Sequence, residues 1–218
     1  MRAKLTPHYG FGCKRPALSS EYLQSFNRDN VSLVTEGIDC INEAGIQTKD
    51  GQQHDLDLII LSTGFKVLEL GNAPSHEVYG LNHVELGHYW DQNRYQAFKG
   101  VAMPGFPNFF LTSGPYAGGF NWFTMLENHM KYILRCLKHA RKKDATYVEV
   151  KQDAHQRYFE TMVRESRDAV FTDASCVRSH SYYLDKHGDA AAAYPRTPLW
   201  RWFNVRLSSM DDFQFKAS

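Results

Sequence analysis

Two adjacent cations, Lys14 and Arg15, are the side chains of this sequence best suited to chemistry. They occupy a loop that is marked by Gly10, Gly12 and Pro16. A guanidinium stays protonated and offers several donors in one plane, so Arg15 could stabilise a developing oxyanion. The competing interpretation is that both side chains are ordinary solvated charges of a surface loop.

A second stretch offers its backbone to a ligand, at Ser62, Thr63 and Gly64. It follows an apolar run in the segment 55–61, which predicts a strand buried on both faces of an α/β sheet. Gly64 has no Cβ, so the chain could pass close to a ligand at this turn. The alternative is that any buried strand can end in such a turn.

The third stretch is the loop that begins at Gly114 and Pro115 and leads to the strongest helix signal of the chain. Apolar residues recur there at steps of three and four, which predicts a long helix; they are Phe123, Leu126, Met130, Ile133 and Leu137. Asn121 is the predicted N-cap, and the amides of Asn121, Trp122 and Phe123 would be free at the helix start. Simple capping, and core packing of the aromatic side chains, are the alternatives.

These stretches need elements that position them. Residues 31–35, 37–42 and 45–48 predict strands of an antiparallel meander, with a tight turn at 49–51, that leads into the strand at 55–61. The continuous apolar run of that last strand is typical of a strand in an α/β sheet.

Later elements are predicted with the same rules. Residues 109–112 predict a second buried strand, whose terminal turn is Gly114-Pro115. Residues 147–150 predict a short strand and 151–164 a second helix. The polar tail from Ser208 is predicted to fray.

The composition is that of a globular protein without a charge bias. The chain has 218 residues, 43% of them hydrophobic, and a formal net charge of +1, so no long-range field attracts nucleic acid or an anionic membrane. No apolar run reaches the ~18 residues of a membrane span, and the first residues lack the apolar core of a signal peptide. The cysteines form no CxxC pair, so we expect no metal site and reduced thiols in a cytoplasmic protein; they are Cys13, Cys40, Cys136 and Cys176.

Five segments carry a family resemblance when they are taken in chain order. They are Gly12-Cys-Lys-Arg15 with Tyr22 and Asn27-Arg28; Gly45 with Asp50-Gly51; Asp57 with Ser62-Thr-Gly-Phe65; Pro107-Asn-Phe-Phe with Gly114-Pro115; and Glu127 with Tyr132-Ile133. This series resembles the C-terminal half of class B flavoprotein monooxygenases, most closely Baeyer–Villiger monooxygenases of the hydroxyacetophenone type. The third segment is similar to the ATG motif of these flavoproteins, with Ser62 where Ala is usual.

The resemblance implies a partial two-dinucleotide-binding α/β flavoprotein fold (FAD/NAD(P)-binding, Rossmann-like) that lacks its N-terminal nucleotide-binding half. Residues 1–65 would be the end of the NADPH-binding domain, with the meander and the ATG-type linker. Residues 66–218 would be the C-terminal part of the FAD-binding domain, with a helical and irregular tail. Enzymes of this family use FAD, NADPH and O2 to insert one oxygen atom into a small ketone.

The resemblance also implies roles for the candidate site residues. Arg15 would be the catalytic arginine, and Lys14 would contact NADPH. The remaining candidates would bind cofactor; they are Ser62, Thr63, Gly64, Gly114, Pro115, Asn121, Trp122 and Phe123. The amides at the start of the long helix would face the electron-rich edge of the flavin and favour its reduced anionic form. Ser181, Tyr182 and Tyr183 are further candidates for contact with NADPH or substrate.

Several family motifs are absent from the sequence, namely both GxGxxG motifs and the FxGxxxHxxxW/P fingerprint. The phosphates of FAD would then have no helix N-terminus to receive them, and the buried strands would lack neighbours. We therefore expect an isolated chain that is inactive and exposes apolar surface. Part of a monooxygenase, a non-catalytic remnant and a half-enzyme completed by a separate N-terminal chain all remain open, as does oxidation of a heteroatom in place of a ketone.

Overall fold

The computed structural model describes residues 1–119 and 121–217, which divide into two compact units. Unit 1 comprises Met1–His8 and Arg15–Phe65, and unit 2 comprises Tyr9–Lys14 and Lys66–Ser218. Within the described residues, no helix is both long and apolar enough to cross a membrane.

Unit 1 is built on a three-stranded antiparallel sheet of order β1-β2-β3. Its elements are the helices α1 (Arg2–Leu5) and α2 (Tyr22–Ser25) and the strands β1 (Ile38–Asn42), β2 (Gly45–Thr48) and β3 (Gln53–Asp55). Glycine is required at Gly45, because a Cβ there would stand 2.1 Å from the carbonyl oxygen of His54. At the next turn the Thr48 hydroxyl donates to Asp50 at 2.5 Å. The predicted strands at 37–42 and 45–48 and the tight turn at 49–51 are confirmed.

Two strand predictions in unit 1 are wrong. Residues 31–35 form no strand, and of the segment 55–61 only Asp55 belongs to one. Residues 56–61 run as irregular chain, with Leu58 and Ile60 73% and 81% exposed. A run suited to burial on both faces needs neighbouring strands and covering helices, and the described residues supply neither to it.

Unit 2 is mainly helical and carries a two-stranded antiparallel sheet of β4 and β5. Its helices are α3 (Leu86–Asn93), α4 (Trp122–Lys142), α5 (Gln152–Ser166), α6 (Ala174–Arg178) and α7 (Pro198–Leu207). Its strands are β4 (Tyr147–Val150) and β5 (Phe213–Lys216), and 3-10 turns lie at Leu81–His83 and Val170–Thr172. The predicted long helix, the strand at 147–150 and the second helix are confirmed.

Two apolar clusters form the core of unit 2. One joins α4 to the sheet and to α7, and includes Tyr132, Cys136, Val150, Val205 and Phe213. The other joins α3 to α5 and to the loop before α4, and includes Leu86, Trp90, Met103, Tyr116 and Met162. The loop that precedes α4 is therefore anchored in the core through Tyr116.

Two further predictions fail in unit 2. Residues 109–112 form no strand; the amide of Leu111 donates to the carbonyl of Val101 at 2.8 Å inside a loop. The tail does not fray, because Met210 and Phe213 are buried and β5 pairs with β4. The pairing partner of β5 lies more than 60 residues earlier in the chain, so the local pattern of the tail could not reveal it.

Helix α4 has two apolar faces. The buried face consists of Met125, His129, Tyr132, Ile133, Cys136 and Ala140, together with Asn128. A neighbouring face exposes Phe123, Met130, Leu134 and Leu137, which we call the α4 apolar stripe. The predicted periodicity followed the exposed stripe for most of its length, so it identified the helix correctly but not the face that packs in unit 2.

Candidate functional site

The segment that ends at Lys14 is held in unit 2 by a disulfide and by hydrogen bonds. Cys13 and Cys176 are joined by a disulfide across 163 residues, and both are fully buried. The amide of Gly10 donates to the Ser175 hydroxyl at 3.0 Å. The hydroxyl of Ser181 donates to the carbonyl oxygen of Cys13.

The disulfide corrects the expectation of four reduced thiols. Among the described residues, the cysteines outside the disulfide are Cys40, which is exposed, and Cys136, which is buried. Spacing along the sequence could not pair Cys13 with Cys176, because the partners lie in distant segments and no motif connects them. Ser181, predicted as a contact for NADPH or substrate, lies against the backbone of Cys13 instead.

Lys14 and Arg15 are both exposed side chains, but they belong to different units. The ammonium of Lys14 lies 5.2 Å from the centroid of the Tyr9 ring, within the same segment. Arg15 opens the longer part of unit 1.

The turn Ser62-Thr63-Gly64 is exposed and irregular. Gly64 has φ +94°, a left-handed conformation that L side chains rarely adopt, and a Cβ there would meet no atom within 4 Å. Glycine is therefore needed at this position for the backbone conformation and not for lack of space, because a side chain there would point into open space.

The loop Gly114–Gly119 is fixed by close backbone packing. The amide of Gly114 donates to the carbonyl of Gly100 at 2.9 Å, and a Cβ at Gly114 would stand 2.7 Å from that oxygen. Pro115 and Tyr116 follow as buried residues. Just before the loop, the ring of His129 meets the carbonyl oxygen of Thr112 at 2.6 Å through Nδ1. A carbonyl only accepts, so Nδ1 carries the proton and donates.

The start of α4 is capped as predicted. The side chain of Asn121 accepts the amide of Thr124 at 3.0 Å, which confirms the N-cap. The amides of Trp122 and Phe123 lie in the first turn, where a helix provides no acceptor. Both side chains are exposed, Phe123 by 78%, so neither is core packing within unit 2. No acidic residue lies in this first turn to occupy the positive helix end.

A cavity of about 20 Å³ lies beside Tyr116 and is lined by polar and charged side chains. They are Lys99, His129, Tyr158, Tyr194, Arg201 and Asn204. Burial lowers the pKa of Lys99 to about 8 and that of His129 to about 4, so His129 is neutral at neutral pH. Burial also lowers the pKa of Arg201 and raises that of Tyr116.

Sequence reasoning found none of these buried charges. Lys99 and Arg201 stand in segments without a motif, and their contacts are made by residues far away in sequence, such as Tyr132 for Lys99 and Gly118 for Arg201. His129 has a structural role, because its ring donates to the backbone carbonyl of Thr112.

The predicted site residues are divided between the two units. Unit 1 holds Arg15 and the turn at 62–64, whereas unit 2 holds Lys14, the loop at 114–119 and the start of α4. Their convergence into one site remains a prediction.

Comparison with known proteins then places the chain. No protein-family model matches it. A Baeyer–Villiger monooxygenase from Pseudomonas aeruginosa is 33% identical over 220 residues, which cover 100% of this chain and 40% of that protein. The chain belongs to the Baeyer–Villiger-type flavoprotein monooxygenases. It matches their C-terminal part, as the resemblance predicted, and it spans about 40% of the length of this relative.

Other members of the family agree with this assignment. FAD-binding monooxygenase ktnD from Aspergillus niger is 30% identical over 98% of this chain and 35% of that protein. A steroid monooxygenase bound to NADP has a TM-score of 0.82 at 26% identity, covering 96% of this chain and 40% of that structure. Cyclohexanone monooxygenase from Rhodococcus sp. Phi1, bound to NADP+, also has a TM-score of 0.82. It is 25% identical, and the match covers 99% of this chain and 41% of that structure. The predicted partial two-dinucleotide-binding α/β fold is confirmed.

Proposed function

We propose that this chain supplies the C-terminal part of an FAD- and NADPH-dependent monooxygenase that inserts one oxygen atom of O2 into a ketone. The observation that carries the proposal is the match of the whole chain to a Baeyer–Villiger monooxygenase at 33% identity. Structural neighbours bound to NADP and a relative named as FAD-binding support the two cofactors. The cytoplasm is the expected compartment, but the Cys13–Cys176 disulfide removes the reduced thiols on which that expectation was based.

The start of α4 fits the electron-rich edge of a flavin ring. Its first-turn amides have no acceptor in the helix, its first turn has no acidic residue, and the helix dipole adds positive potential there. Bound FAD, reduced by NADPH, would supply the oxygen-activating chemistry. The amides at Asn121, Trp122 and Phe123 and the loop from Gly114 and Pro115 would orient the ring and favour its anionic form. The sequence offers no GxGxxG helix to the FAD diphosphate.

Arg15 is the proposed catalytic residue and Lys14 the proposed contact for NADPH. The guanidinium keeps its charge and can stabilise the negative charge that develops on the substrate oxygen. The ammonium of Lys14 is a compact point charge, which suits a phosphate or ribose oxygen. The turn at Ser62, Thr63 and Gly64 is proposed as a backbone contact to cofactor between the two nucleotide domains.

The domain assignment is also a proposal. Residues 1–65 would end the NADPH-binding domain and 66–218 would form part of the FAD-binding domain. The division of the chain after Phe65 supports this boundary, with the segment Tyr9–Lys14 as the exception, since it packs in unit 2.

Exposed apolar surface supports the need for further polypeptide, whether as a separate N-terminal half or as the rest of a longer chain. Unit 1 exposes the run 56–61, and unit 2 exposes the α4 apolar stripe. Large exposed apolar patches mark surfaces that pack against other protein. The exposed side chains of these two segments support the expected exposure of apolar surface.

A chimera tests the proposed function. The matching part of the Pseudomonas aeruginosa relative is replaced by this chain, so that the relative supplies the rest of the enzyme. We expect bound flavin in the visible spectrum, NADPH-dependent turnover and an ester formed from a ketone. A folded chimera without flavin would contradict the proposal and favour the non-catalytic remnant. Oxidation of a sulfide or amine, with no ketone oxidised, would reassign the reaction to heteroatoms.

Arg15→Ala in this chimera tests the proposed catalytic residue. We expect flavin to stay bound while ester formation falls about 100-fold, the order of effect of removing one oxyanion-stabilising donor. Arg2→Ala, which removes another exposed arginine of unit 1, is the matched control and should leave turnover unchanged. Equal product formation by Arg15→Ala and the unmodified chimera would exclude Arg15 from catalysis.

A further inference from the structure

Arg201 is a buried cation of unit 2. Packing alone does not require a charged side chain at this position. It projects from α7, is 8% exposed, and its guanidinium donates to the carbonyl oxygen of Gly118 at 3.2 Å. The same group lies 4.1 Å from the centroid of the Tyr194 ring. Among residues 1–119 and 121–217, no carboxylate forms an ion pair with Arg201.

The carbonyl that Arg201 contacts already has a neutral donor. The amide of Tyr194 donates to Gly118 at 3.0 Å, and the amide of Tyr116 donates to the carbonyl of Ala191 at 2.6 Å. A Cβ at Gly118 would stand 1.9 Å from the carbonyl oxygen of Ala192, so only glycine allows this approach. The loop Gly114–Gly119 is thus paired with residues 190–194, and Arg201 adds a charged donor to that pairing.

The charge of Arg201 is not neutralised by its surroundings. A buried cation without a counter-ion is unfavourable, and a neutral donor could satisfy a carbonyl oxygen at lower cost. The titratable groups that act on or respond to Arg201 are Tyr194, Tyr158 and His129, which are uncharged at neutral pH. The positive end of α4 lies where the same loop leads into the helix. Two positive features therefore act on one loop, an arrangement that favours an anion there.

We propose that Arg201 is a positioning residue that fixes the carbonyl of Gly118 and makes the loop Gly114–Gly119 favourable for the anionic edge of reduced flavin. This inference rests on the proposed function, and it adds α7 to the elements that build the flavin site. A planar guanidinium suits both contacts, because it donates in its plane and stacks through its face. Lysine would keep the charge and lose that geometry.

Hydrogen exchange on the flavin-free chain tests the positioning role. We expect Arg201→Gln to speed exchange of the Tyr194 amide about tenfold, because the loop opens locally more often. Amides in the middle of α5 should keep their protection. Arg206→Gln is the matched control, since Arg206 lies on the same helix but donates to the Asn128 side chain at 3.1 Å. Unchanged exchange in Arg201→Gln, or an equal increase in both variants, would overturn the positioning role.

A second variant keeps the test decisive if Arg201→Gln does not fold. Tyr194→Leu removes the ring that stacks on the guanidinium and keeps the backbone amide at position 194. We expect the same local increase in exchange at that amide. Full protection there would overturn the inference that the stacked guanidinium fixes the loop.

Flavin binding by the chimera tests whether the charge of Arg201 favours the anionic, reduced flavin. We expect Arg201→Gln to weaken binding of reduced FAD about tenfold more than binding of oxidised FAD, since only the reduced form gains the negative charge. Arg201→Lys should restore most of this ratio, although not the exchange protection. An unchanged ratio in Arg201→Gln would overturn the electrostatic role. An unmodified chimera that binds no flavin would contradict the proposed function alone, because the exchange measurement needs no flavin.

Discussion

His155 shows what burial does to a single titratable residue in unit 2. It lies on α5, is almost fully buried, and neither ring nitrogen has a hydrogen-bond partner among the described residues. Its ring stacks on Phe159 with centroids 6.3 Å apart. Burial lowers the pKa of His155 to about 4. In the unfolded chain the pKa is about 6.5, so acid protonates the unfolded state first and lowers the free energy of unfolding between about pH 6.5 and pH 4.

We expect His155→Phe to remove part of this acid sensitivity, because phenylalanine keeps a stacked ring and does not titrate. The drop in unfolding free energy between about pH 7 and about pH 4.5 should shrink by about 2 kcal/mol. Urea unfolding at the two pH values measures it. His129, whose pKa burial also lowers to about 4, should retain its own share of the slope. The exposed His76→Gln serves as control, and an unchanged slope in His155→Phe would contradict the role of burial.

Among single residues, sequence reasoning found those that are marked by their neighbours in the chain. It missed those whose contacts lie far away in the sequence. Lys14 and Arg15 are neighbours in a loop marked by glycine and proline, so sequence alone draws attention to them. Arg201 contacts Gly118, 83 positions away, and nothing near Arg201 in the sequence marks that contact. Long-range pairing of this kind depends on the whole fold.

Secondary-structure elements were predicted correctly where the sequence pattern and the residues that pair with it or cap it lie in one stretch of the chain. Strand β2 and the capped helix α4 each carry their own signals, the tight turn at 49–51 after the strand and Asn121 before the helix. Prediction failed where the partner is distant in sequence or where the described residues contain none. The run 56–61 has the composition of a buried strand, yet it is irregular, and no strand within 1–119 and 121–217 pairs with it.

The disulfide that joins the Lys14 segment to α6 makes a testable contribution to stability. Changing both Cys13 and Cys176 to Ser should lower the unfolding free energy by about 2–5 kcal/mol, because the bond closes a loop with a sequence separation of 163 in the unfolded chain. Denaturant unfolding, with and without a dithiol reductant, measures the effect. Cys40→Ser, which removes an exposed free thiol, is the control. Equal stability of the oxidised and reduced chain would contradict a stabilising role.

At the scale of the whole molecule, the two-faced helix α4 links fold to function. A surface helix with a wide apolar stripe normally packs the whole stripe against other elements. Here the face with Tyr132 and Cys136 is buried, whereas the α4 apolar stripe is open. The chain covers 40% of the length of the Pseudomonas aeruginosa relative. The remaining part of that relative is large enough to cover such a face.

The open stripe predicts how the isolated chain behaves. We expect it to bind a hydrophobic dye, to self-associate at micromolar concentration and to carry no flavin, because the surfaces that would meet further polypeptide are exposed to water. Leu134→Gln combined with Leu137→Gln should reduce dye binding and self-association while α4 remains helical, since both side chains are about half exposed and their removal opens no cavity. Light scattering and dye fluorescence measure the two effects, with Lys131→Gln on the same helix as control. A monomeric chain that binds no dye would show that the stripe is compatible with water, and the argument for missing polypeptide would then rest on sequence similarity alone.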